Sequence, residues 1–195
     1  LKSTKCKVIA DVKCSQVLFD EVERLGGEIF MCKTGHSHVK NNLKKLNADL
    51  AGEMSGHIFY AKDYYGFDDA FFAAVKVLEI INNNDKKLSD LVDEIPRVFN
   101  TPEIRIDCDD NKKFDIIRKI TERQKRSKKK ITDIDGVRVS EKDGWWLLRA
   151  SNTQPAIVLR CESLTEDGLE FQKRLVKNEL SEFNIDIFDE IISWK

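Results

Sequence analysis

The spacing of apolar residues changes once along this 195-residue chain, and that change constrains the fold more than any other feature. Before Pro96, short β-rich runs alternate with amphipathic stretches, as in layered β-α-β units. After Pro102, β-like runs follow one another closely. Proline and the residue before it disfavour helix, so the two prolines mark a plausible boundary. We therefore expect two domains, residues 1–95 and 96–195.

The first half reads as a mixed α/β domain. Cys6–Ala10 and Glu28–Cys32 predict strands on either side of a helix that stops at Gly26 and Gly27. A basic amphipathic helix follows, and then a short apolar run that leads into a loop at Gly52. Asp68 or Asp69 is the expected N-cap of a long helix through Ile81, with Phe71, Phe72, Val75, Leu78 and Ile81 on its apolar face.

The second half predicts a smaller domain with an antiparallel sheet. Ile104 and Ile106 indicate a strand, and Phe114, Ile117 and Ile120 indicate a helix. The resulting order, β-α-β-β-β-α, is typical of an antiparallel sheet with helices on one face. The later elements are three β-like runs and a final helix: Ile131–Val139, Trp145–Arg149, Ala156–Cys161 and Glu166–Ser181.

Composition excludes several classes of protein. There are 33 Lys+Arg and 34 Asp+Glu residues, so the net charge of -1 argues against a nucleic-acid partner, and the basic run 125–130 is expected to be a solvated loop. The longest apolar stretch is too short to span a bilayer. Five scattered cysteines without a Cys-x-x-Cys pair favour a reduced, cytoplasmic protein. The chain begins at Leu1 without an initiator Met, so we interpret it as a piece of a longer protein.

A polar turn, Gly52-Glu53-Met54-Ser55-Gly56-His57, follows a predicted strand. Its glycines allow a sharp bend that presents carboxylate, hydroxyl and imidazole together. A carboxylate accepts hydrogen bonds from neighbouring sugar hydroxyls, and an imidazole moves protons near neutral pH. The turn therefore suits a polyol, although a Gly-rich polar turn is equally well explained as only a turn.

A second polar loop, Arg149-Ala150-Ser151-Asn152-Thr153-Gln154-Pro155, lies between two apolar β-runs. Arginine offers a planar fork, and the hydroxyl and amide side chains add donors that can converge on one phosphate. The alternative is a hairpin loop stabilised by Ser and Asn bonding to their own backbone.

His36-Ser37-His38, with Cys32 and His57, contains enough nitrogen and sulfur for zinc. The pair opens a predicted helix, where side chains two residues apart diverge. The spacing therefore argues against a metal site.

Three separated segments together resemble the α-D-phosphohexomutase family, in its phosphomannomutase/phosphoglucomutase branch. They are Asp11-Val12-Lys13-Cys14-Ser15 with Lys33-Thr34-Gly35-His36-Ser37 and Lys40, then Gly52–His57, then Arg149–Pro155. They occur in the family's order and at similar separations, and the resemblance extends to about residue 184.

The resemblance implies the third and fourth of four family domains: a mixed α/β phosphohexomutase domain carrying the sugar-binding loop, then a smaller domain similar to the TATA-binding protein carrying the phosphate-binding loop. The residues it implies for the sugar are Glu53, Ser55, His57, Lys13 and His36, with His57 the candidate acid/base. Those implied for phosphate are Arg149, Ser151, Asn152 and Thr153.

The resemblance also implies a reaction. Family enzymes interconvert hexose 1-phosphate and hexose 6-phosphate through a bisphosphorylated intermediate and an enzyme phosphoserine, with Mg2+. The phosphoserine loop and the acidic magnesium loop are not in this sequence, so we expect no metal ligand here, substrate binding without turnover, and the remaining domains in an N-terminal part. Met54 favours mannose or glucose phosphates. A non-catalytic sugar-phosphate-binding module is the alternative.

Overall fold

The computed structural model describes residues 5–185, which form two compact units that divide between Pro96 and Arg97. The first unit contains a four-stranded sheet in the order β2-β1-β3-β4, with β1 parallel to both β2 and β3 and with β4 antiparallel to β3. Its elements are β1 (Lys7–Asp11), α1 (Gln16–Arg24), β2 (Glu28–Cys32), α2 (His36–Leu46), β3 (Leu50–Gly52), β4 (Ile58–Tyr60), α3 (Ala70–Asn82) and α4 (Leu88–Asp93).

Helices cover both faces of the parallel part of this sheet. On one face Ile9 and Ala51 pack with Val39 and Leu43 of α2. On the other face Ala10 packs with Phe19 of α1. A central strand that is buried on both faces reads as a continuous apolar run, which is why Val8, Ile9 and Ala10 follow one another in β1.

The predicted long helix is confirmed as α3, but its surroundings differ from the prediction. Asp69 caps it by accepting a hydrogen bond from the backbone N–H of Phe72 at 2.9 Å. No residue of α3 is buried, and Phe71 and Leu78 are 88% and 63% exposed. The apolar face that the sequence predicted is therefore present, with Phe72 stacked on Tyr64 but with Phe71, Val75 and Leu78 left exposed in this unit.

The second unit is an antiparallel sheet packed against two helices. The strands run in the order β5-β10-β9-β8-β7, and β6 also pairs with β10. The core lies between the sheet and both helices, with Trp146 and Leu159 meeting Ile120 and Leu180. The elements are β5 (Phe99–Asn100), β6 (Ile104–Asp107), α5 (Asp110–Arg126), β7 (Lys130–Thr132), β8 (Val137–Glu141), β9 (Gly144–Ala150), β10 (Ala156–Ser163) and α6 (Glu166–Ser181).

The order of elements in the second unit corrects one prediction. Residues 131–139, expected as one strand, form the ends of β7 and β8 with a turn between them, because Gly136 adopts a left-handed φ of 76° that interrupts extended backbone. The short strand β5 was not predicted, whereas β6, β9, β10 and both helices lie where the pattern placed them. The fold class, mixed α/β followed by an antiparallel sheet with helices, is confirmed.

No helix among the described residues is both long enough and apolar enough to cross a membrane. The basic run begins in the last turn of α5 and continues to the start of β7, and its side chains are mostly exposed.

Candidate functional site

Three loops of the first unit meet at one edge of its sheet. They follow β1, β2 and β3, which are parallel neighbours, so their carboxyl ends lie at the same edge. These loops carry Lys13, His36 and the turn Glu53–His57, which the sequence had singled out separately. The topology therefore explains how distant segments assemble one candidate site.

Asp11 holds the three loops together. It ends β1, is fully buried, and accepts hydrogen bonds from the Thr34 hydroxyl at 3.0 Å and from the backbone N–H of Met54 at 3.2 Å. The Cys14 thiol donates to the same carboxylate at 3.0 Å. Each of the three loops thus has a contact with one carboxylate.

Glu53 is oriented by the loop after β2. Its Oε1 accepts the backbone N–H of Gly35 at 2.6 Å, while its Oε2 lies 3.9 Å from His36 Nε2. Gly35 is the N-cap of α2 with a φ of 118°, a conformation that favours glycine. One oxygen of Glu53 is fixed by the backbone, and the other faces the imidazole.

The two histidines lie together with a carboxylate that the motifs did not include. The rings of His36 and His57 have centroids 4.4 Å apart and are nearly perpendicular. Asp68 Oδ2 lies 2.7 Å from His57 Nδ1 and 3.3 Å from His36 Nε2. A carboxylate only accepts, so Nδ1 of His57 is the donor in this contact and Nε2 is the ring nitrogen that faces away from Asp68 Oδ2.

Asp68 is placed by its neighbours on both sides. It forms a β-bridge with Phe59, and the next residue, Asp69, is the N-cap of α3. The hydroxyl of Tyr64 donates to Asp69 at 2.6 Å and is the main reason that the pKa of Asp69 lies below its usual value. The sequence suggested either aspartate as the cap. The structure assigns that role to Asp69 and leaves Asp68 facing the histidines.

Lys13 and Ser55 occupy contrasting positions. Lys13 is buried, with its ammonium group 3.9 Å from Asp11 Oδ2. Ser55 is exposed at the tip of the turn, which a hydrogen bond from Gly56 N–H to the Glu53 carbonyl closes at 2.9 Å. His36 and His57 are 45% exposed at their side chains, so the histidines and Ser55 form the accessible part of the site.

The second unit carries its own candidate site at the β9–β10 hairpin. Arg149 is buried, and its Nε donates to Asp135 Oδ2 at 3.0 Å. The turn that holds Asp135 lies very close to β9: a Cβ on Gly136 would lie 2.2 Å from the Leu148 carbonyl oxygen. Glycine is therefore needed for Asp135 to reach Arg149.

The rest of the hairpin combines both sequence interpretations. Ser151 Oγ accepts the backbone N–H groups of Thr153 at 3.4 Å and Gln154 at 3.2 Å, as the hairpin alternative predicted. Asn152 and Thr153 are exposed, and their side chains remain accessible to a ligand. Lys113 Nζ donates to the Gln154 carbonyl at 2.7 Å and so braces the loop from α5.

Sequence reasoning missed three carboxylates: Asp11, Asp68 and Asp135. Asp11 was quoted in a motif without a role. The signal for Asp135 was the Asp-Gly turn dipeptide, and for Asp68 it was a second aspartate beside the cap. All three act by orienting a neighbouring group, which no residue spacing reveals.

Among the described residues, His36, Glu53 and His57 form a group with metal-binding potential, each with one ligand atom within 4.8 Å of the others. Mg2+ prefers six oxygen ligands, so this nitrogen-rich set does not fit magnesium.

Comparison with known families identifies both units. Residues 1–99 match the family model "Phosphoglucomutase/phosphomannomutase, alpha/beta/alpha domain III", and residues 103–176 match the "C-terminal domain" of the same family. The chain belongs to the phosphoglucomutase/phosphomannomutase family. The family model of domain III thus contains the three-loop site, and that of the C-terminal domain contains the Arg149 hairpin.

Curated relatives of the chain are much longer than it is. It is 45% identical over 163 residues to the phosphomannomutase/phosphoglucomutase of Pseudomonas syringae pv. tomato, covering 84% of this chain and 35% of that protein. It is 40% identical over 166 residues to the phosphoglucomutase of Neisseria gonorrhoeae, covering 84% and 36%. The chain thus spans about a third of these relatives.

Solved structures show the same architecture. A phosphoglucomutase/phosphomannomutase family protein from Burkholderia thailandensis superposes with a TM-score of 0.83 at 36% identity, covering 93% of this chain and 38% of that one. An N-acetylglucosamine-phosphate mutase in a substrate complex gives a TM-score of 0.64 at 17% identity, covering 90% and 38%, which shows the shared fold.

Proposed function

We propose that this chain is the C-terminal portion of a phosphomannomutase/phosphoglucomutase that interconverts hexose 1-phosphate and hexose 6-phosphate. The observation that carries the proposal is the convergence of Glu53, His36 and His57 at one sheet edge, in a chain whose relatives include phosphomannomutases. The five free thiols favour a cytoplasmic enzyme.

The three-loop site binds the sugar in this proposal. Glu53 Oε2 accepts hydrogen bonds from ring hydroxyls, and its buried position strengthens them because water is excluded. Ser55 adds a donor or acceptor at the turn tip. Lys13 acts as a fixed positive charge beside Asp11.

His57 is the acid/base group of the proposal. Its Nδ1–H donates to Asp68, so Nε2 is the atom that takes a proton from, or returns it to, a hydroxyl of the sugar phosphate. Asp68 stabilises the imidazolium that forms, because its carboxylate lies within hydrogen-bond distance of the ring. Proton transfer at this atom needs no change of ring orientation.

The hairpin of the second unit binds the phosphate that is not reacting. Arg149 is fixed by Asp135 through Nε, which leaves its terminal nitrogens to bind phosphate oxygens. Asn152 and Thr153 supply further donors. Since the reaction exchanges the two ends of a hexose, the hairpin must bind the phosphate on either carbon. A loop that contacts only the phosphate, and not the sugar, can bind it in both orientations.

The remaining chemistry belongs to the part of the enzyme outside this chain. A phosphoserine would donate and accept the phosphoryl group, and Mg2+ would neutralise its developing charge. Aspergillus fumigatus N-acetylphosphoglucosamine mutase has been solved with glucose 1,6-bisphosphate and with GlcNAc-6P and magnesium. By analogy we propose a hexose 1,6-bisphosphate intermediate here, with the metal held by the N-terminal domains.

The test is titration of the isotopically labelled 195-residue chain with mannose 1-phosphate and glucose 6-phosphate, followed by NMR. The expected result is shifts at Glu53–His57 and Arg149–Thr153. Glu53→Gln should weaken binding about tenfold or more, equivalent to the 1.5 kcal/mol or greater loss of a charged hydrogen bond. Glu23→Gln, on the exposed side of α1, is the matched control. Shifts confined to the basic run 125–130 would refute the proposal.

A further inference from the structure

Three ligand atoms of the sugar site already lie near the positions that a transition metal requires. Zinc binds nitrogen and oxygen ligands at about 2.0 to 2.2 Å, so two ligands of a tetrahedral ion lie about 3.3 to 3.5 Å apart. His36 Nε2 and Glu53 Oε2 are 3.9 Å apart, and the ligand atoms of His36, Glu53 and His57 lie within 4.8 Å of one another. To complete the geometry, the His36–Glu53 pair must close by about 0.5 Å and the widest separation by up to about 1.4 Å.

The groups around these ligands are arranged to support a metal. A metal-binding histidine usually donates its second ring N–H to a carboxylate, which fixes the tautomer and increases the basicity of the ligand nitrogen. Asp68 does this for His57 at Nδ1. Gly35 N–H does the corresponding work for Glu53, holding Oε1 and leaving Oε2 toward His36.

The ligands can also move the remaining distance. Both imidazoles are 45% exposed at their side chains and can rotate toward an ion, whereas Glu53 is fixed and buried. Two imidazoles and one carboxylate with an open position suit Zn2+, Co2+ and Ni2+. Helical spacing separates His36 from His38, but it places no limit on His57, which comes from another loop.

We propose that His36, His57 and Glu53 bind a divalent transition metal ion, represented by Zn2+, and that the bound ion excludes the sugar. The three ligands are the groups that the proposed function assigns to sugar binding and proton transfer, so the second half of this inference rests on that function. A metal-bound imidazole nitrogen has no lone pair left for a sugar hydroxyl, and the ion would occupy the space in front of Glu53 Oε2 where the proposed function places the ring hydroxyls. Zn2+ would therefore inhibit at a place separate from the Mg2+ chemistry, and the expectation of no metal ligand in this chain would be wrong.

The first measurement is metal binding without sugar. The 195-residue chain is stripped with chelator and titrated with Zn2+ by calorimetry and with Co2+ by visible absorption. We expect one site, with d–d bands of four- or five-coordinate cobalt and without thiolate charge transfer. His36→Gln and His57→Gln should each weaken binding at least tenfold. His38→Gln removes the third histidine of the chain and should leave binding unchanged.

These outcomes decide the metal site. The site is overturned if the cobalt spectrum shows a thiolate charge-transfer band. It is also overturned if His36→Gln and His57→Gln bind the metal as tightly as the unaltered chain, or if His38→Gln weakens metal binding. NMR spectra of each variant show whether the fold is kept, and ¹⁵N shifts of the three imidazoles in the unaltered chain, moving at His36 and His57 alone, give a second readout that needs no substitution.

The second measurement is sugar-phosphate binding with and without Zn2+. Mannose 1-phosphate affinity should fall as Zn2+ fills the site and recover on addition of chelator. If Zn2+ binds at the two histidines and mannose 1-phosphate fails to bind the metal-free chain, the proposed function fails and the metal site stands. If both bind without competition, the inhibitory half of the inference is wrong.

Discussion

The carboxylate of Asp11 shows how one residue organises a site without touching a ligand. It accepts from Thr34, Met54 and Cys14, so the loops after β1, β2 and β3 have a common anchor. A buried acceptor of this kind leaves its donors unsatisfied when it is removed, which costs more than the hydrogen bonds themselves contribute.

Asp11→Asn is therefore expected to destabilise the first unit by about 1 to 3 kcal/mol. Asparagine keeps one acceptor oxygen and replaces the other with a donor, so either Thr34 or Met54 loses its partner. Chemical denaturation gives the free energy of unfolding, and Asp20→Asn, exposed on α1, is the control. Equal stability of the two variants would show that the carboxylate is not an anchor.

In the proposed function, phosphate binding depends on Arg149. Arg149→Ala should weaken binding of mannose 6-phosphate about tenfold or more, because a charged hydrogen bond contributes about 1.5 to 3 kcal/mol. Arg149→Lys should weaken this binding less, because the ammonium group keeps the positive charge but lacks the planar, two-pronged geometry of the guanidinium. Calorimetry measures both, with Arg118→Ala on exposed α5 as control. Retention of affinity in Arg149→Ala would place the phosphate elsewhere.

At the scale of elements, the turn between β7 and β8 depends on glycine for two reasons. Gly136 has a left-handed φ, and a Cβ there would also lie 2.6 Å from Arg149 Cα. Gly136→Ala should destabilise the second unit by about 2 to 4 kcal/mol, the sum of left-handed strain and overpacking.

Gly26→Ala separates these two causes. Gly26 also has a left-handed φ, of 83°, but a Cβ there meets nothing within 4 Å. We expect a loss of about 1 kcal/mol for the strain alone. Denaturation of both variants checks the difference, and similar losses would mean that the close approach to β9 is unimportant.

The cap of α3 predicts a dependence on pH. The Tyr64 hydroxyl, followed by the Phe72 N–H, lowers the pKa of Asp69 in the folded chain. A lowered folded pKa contributes stability above the unfolded value of about 3.9, and this is lost as pH falls through the folded value. Unfolding midpoints should therefore fall more steeply below about pH 4 in the unaltered chain than in Asp69→Asn. Asp85→Asn, an exposed site, should match the unaltered chain. If the unfolding midpoints of all three proteins fall with the same slope at acid pH, Asp69 does not contribute this pH-dependent stability.

The elements also show what sequence can predict. The strand Glu28–Cys32 and the helix Glu166–Ser181 were placed without error, because apolar spacing and caps are local signals. The break at Gly136 and the three-residue strand β4 were missed. Gly136 turns the chain where it lies against Leu148 and Arg149 of β9, and β4 is too short to show a strand pattern of its own. Sequence motifs identified Glu53, His36 and His57 as candidates. The contact of Asp68 with the two histidines is visible only in the folded structure.

At the scale of the whole molecule, α3 exposes an apolar face that soluble proteins usually cover. Phe71, Val75 and Leu78 are all at least half exposed. Large exposed apolar patches mark interaction surfaces. The chain also spans about a third of the length of its relatives.

The isolated chain is expected to be catalytically silent. Phosphoryl transfer needs a phosphoserine and a cation to stabilise its charge, and neither motif is in this sequence. ³¹P NMR with mannose 1-phosphate should show no 6-phosphate. A fusion of the chain to the N-terminal domains of the Pseudomonas syringae relative should convert mannose 1-phosphate to mannose 6-phosphate. Turnover by the purified chain that survives chelator would refute the division of roles, and an inactive, well-folded fusion would favour a binding module.

The turn Glu53–His57 is anchored through its backbone, so some of its side chains can be replaced without loss of the anchor. Met54 is held to Asp11 by its backbone N–H, so the anchor does not depend on its side chain, and Ser55 projects from an exposed tip. In the proposed function, a combinatorial library at Ser55 would sample new sugar preferences on an unchanged frame, whereas the Met54 side chain packs against the core beside Ala10 and Phe19, so replacements there must keep that packing. Directed evolution toward other hexoses therefore has a natural starting point here, and Asp11, Gly35 and Glu53 are the positions to leave constant.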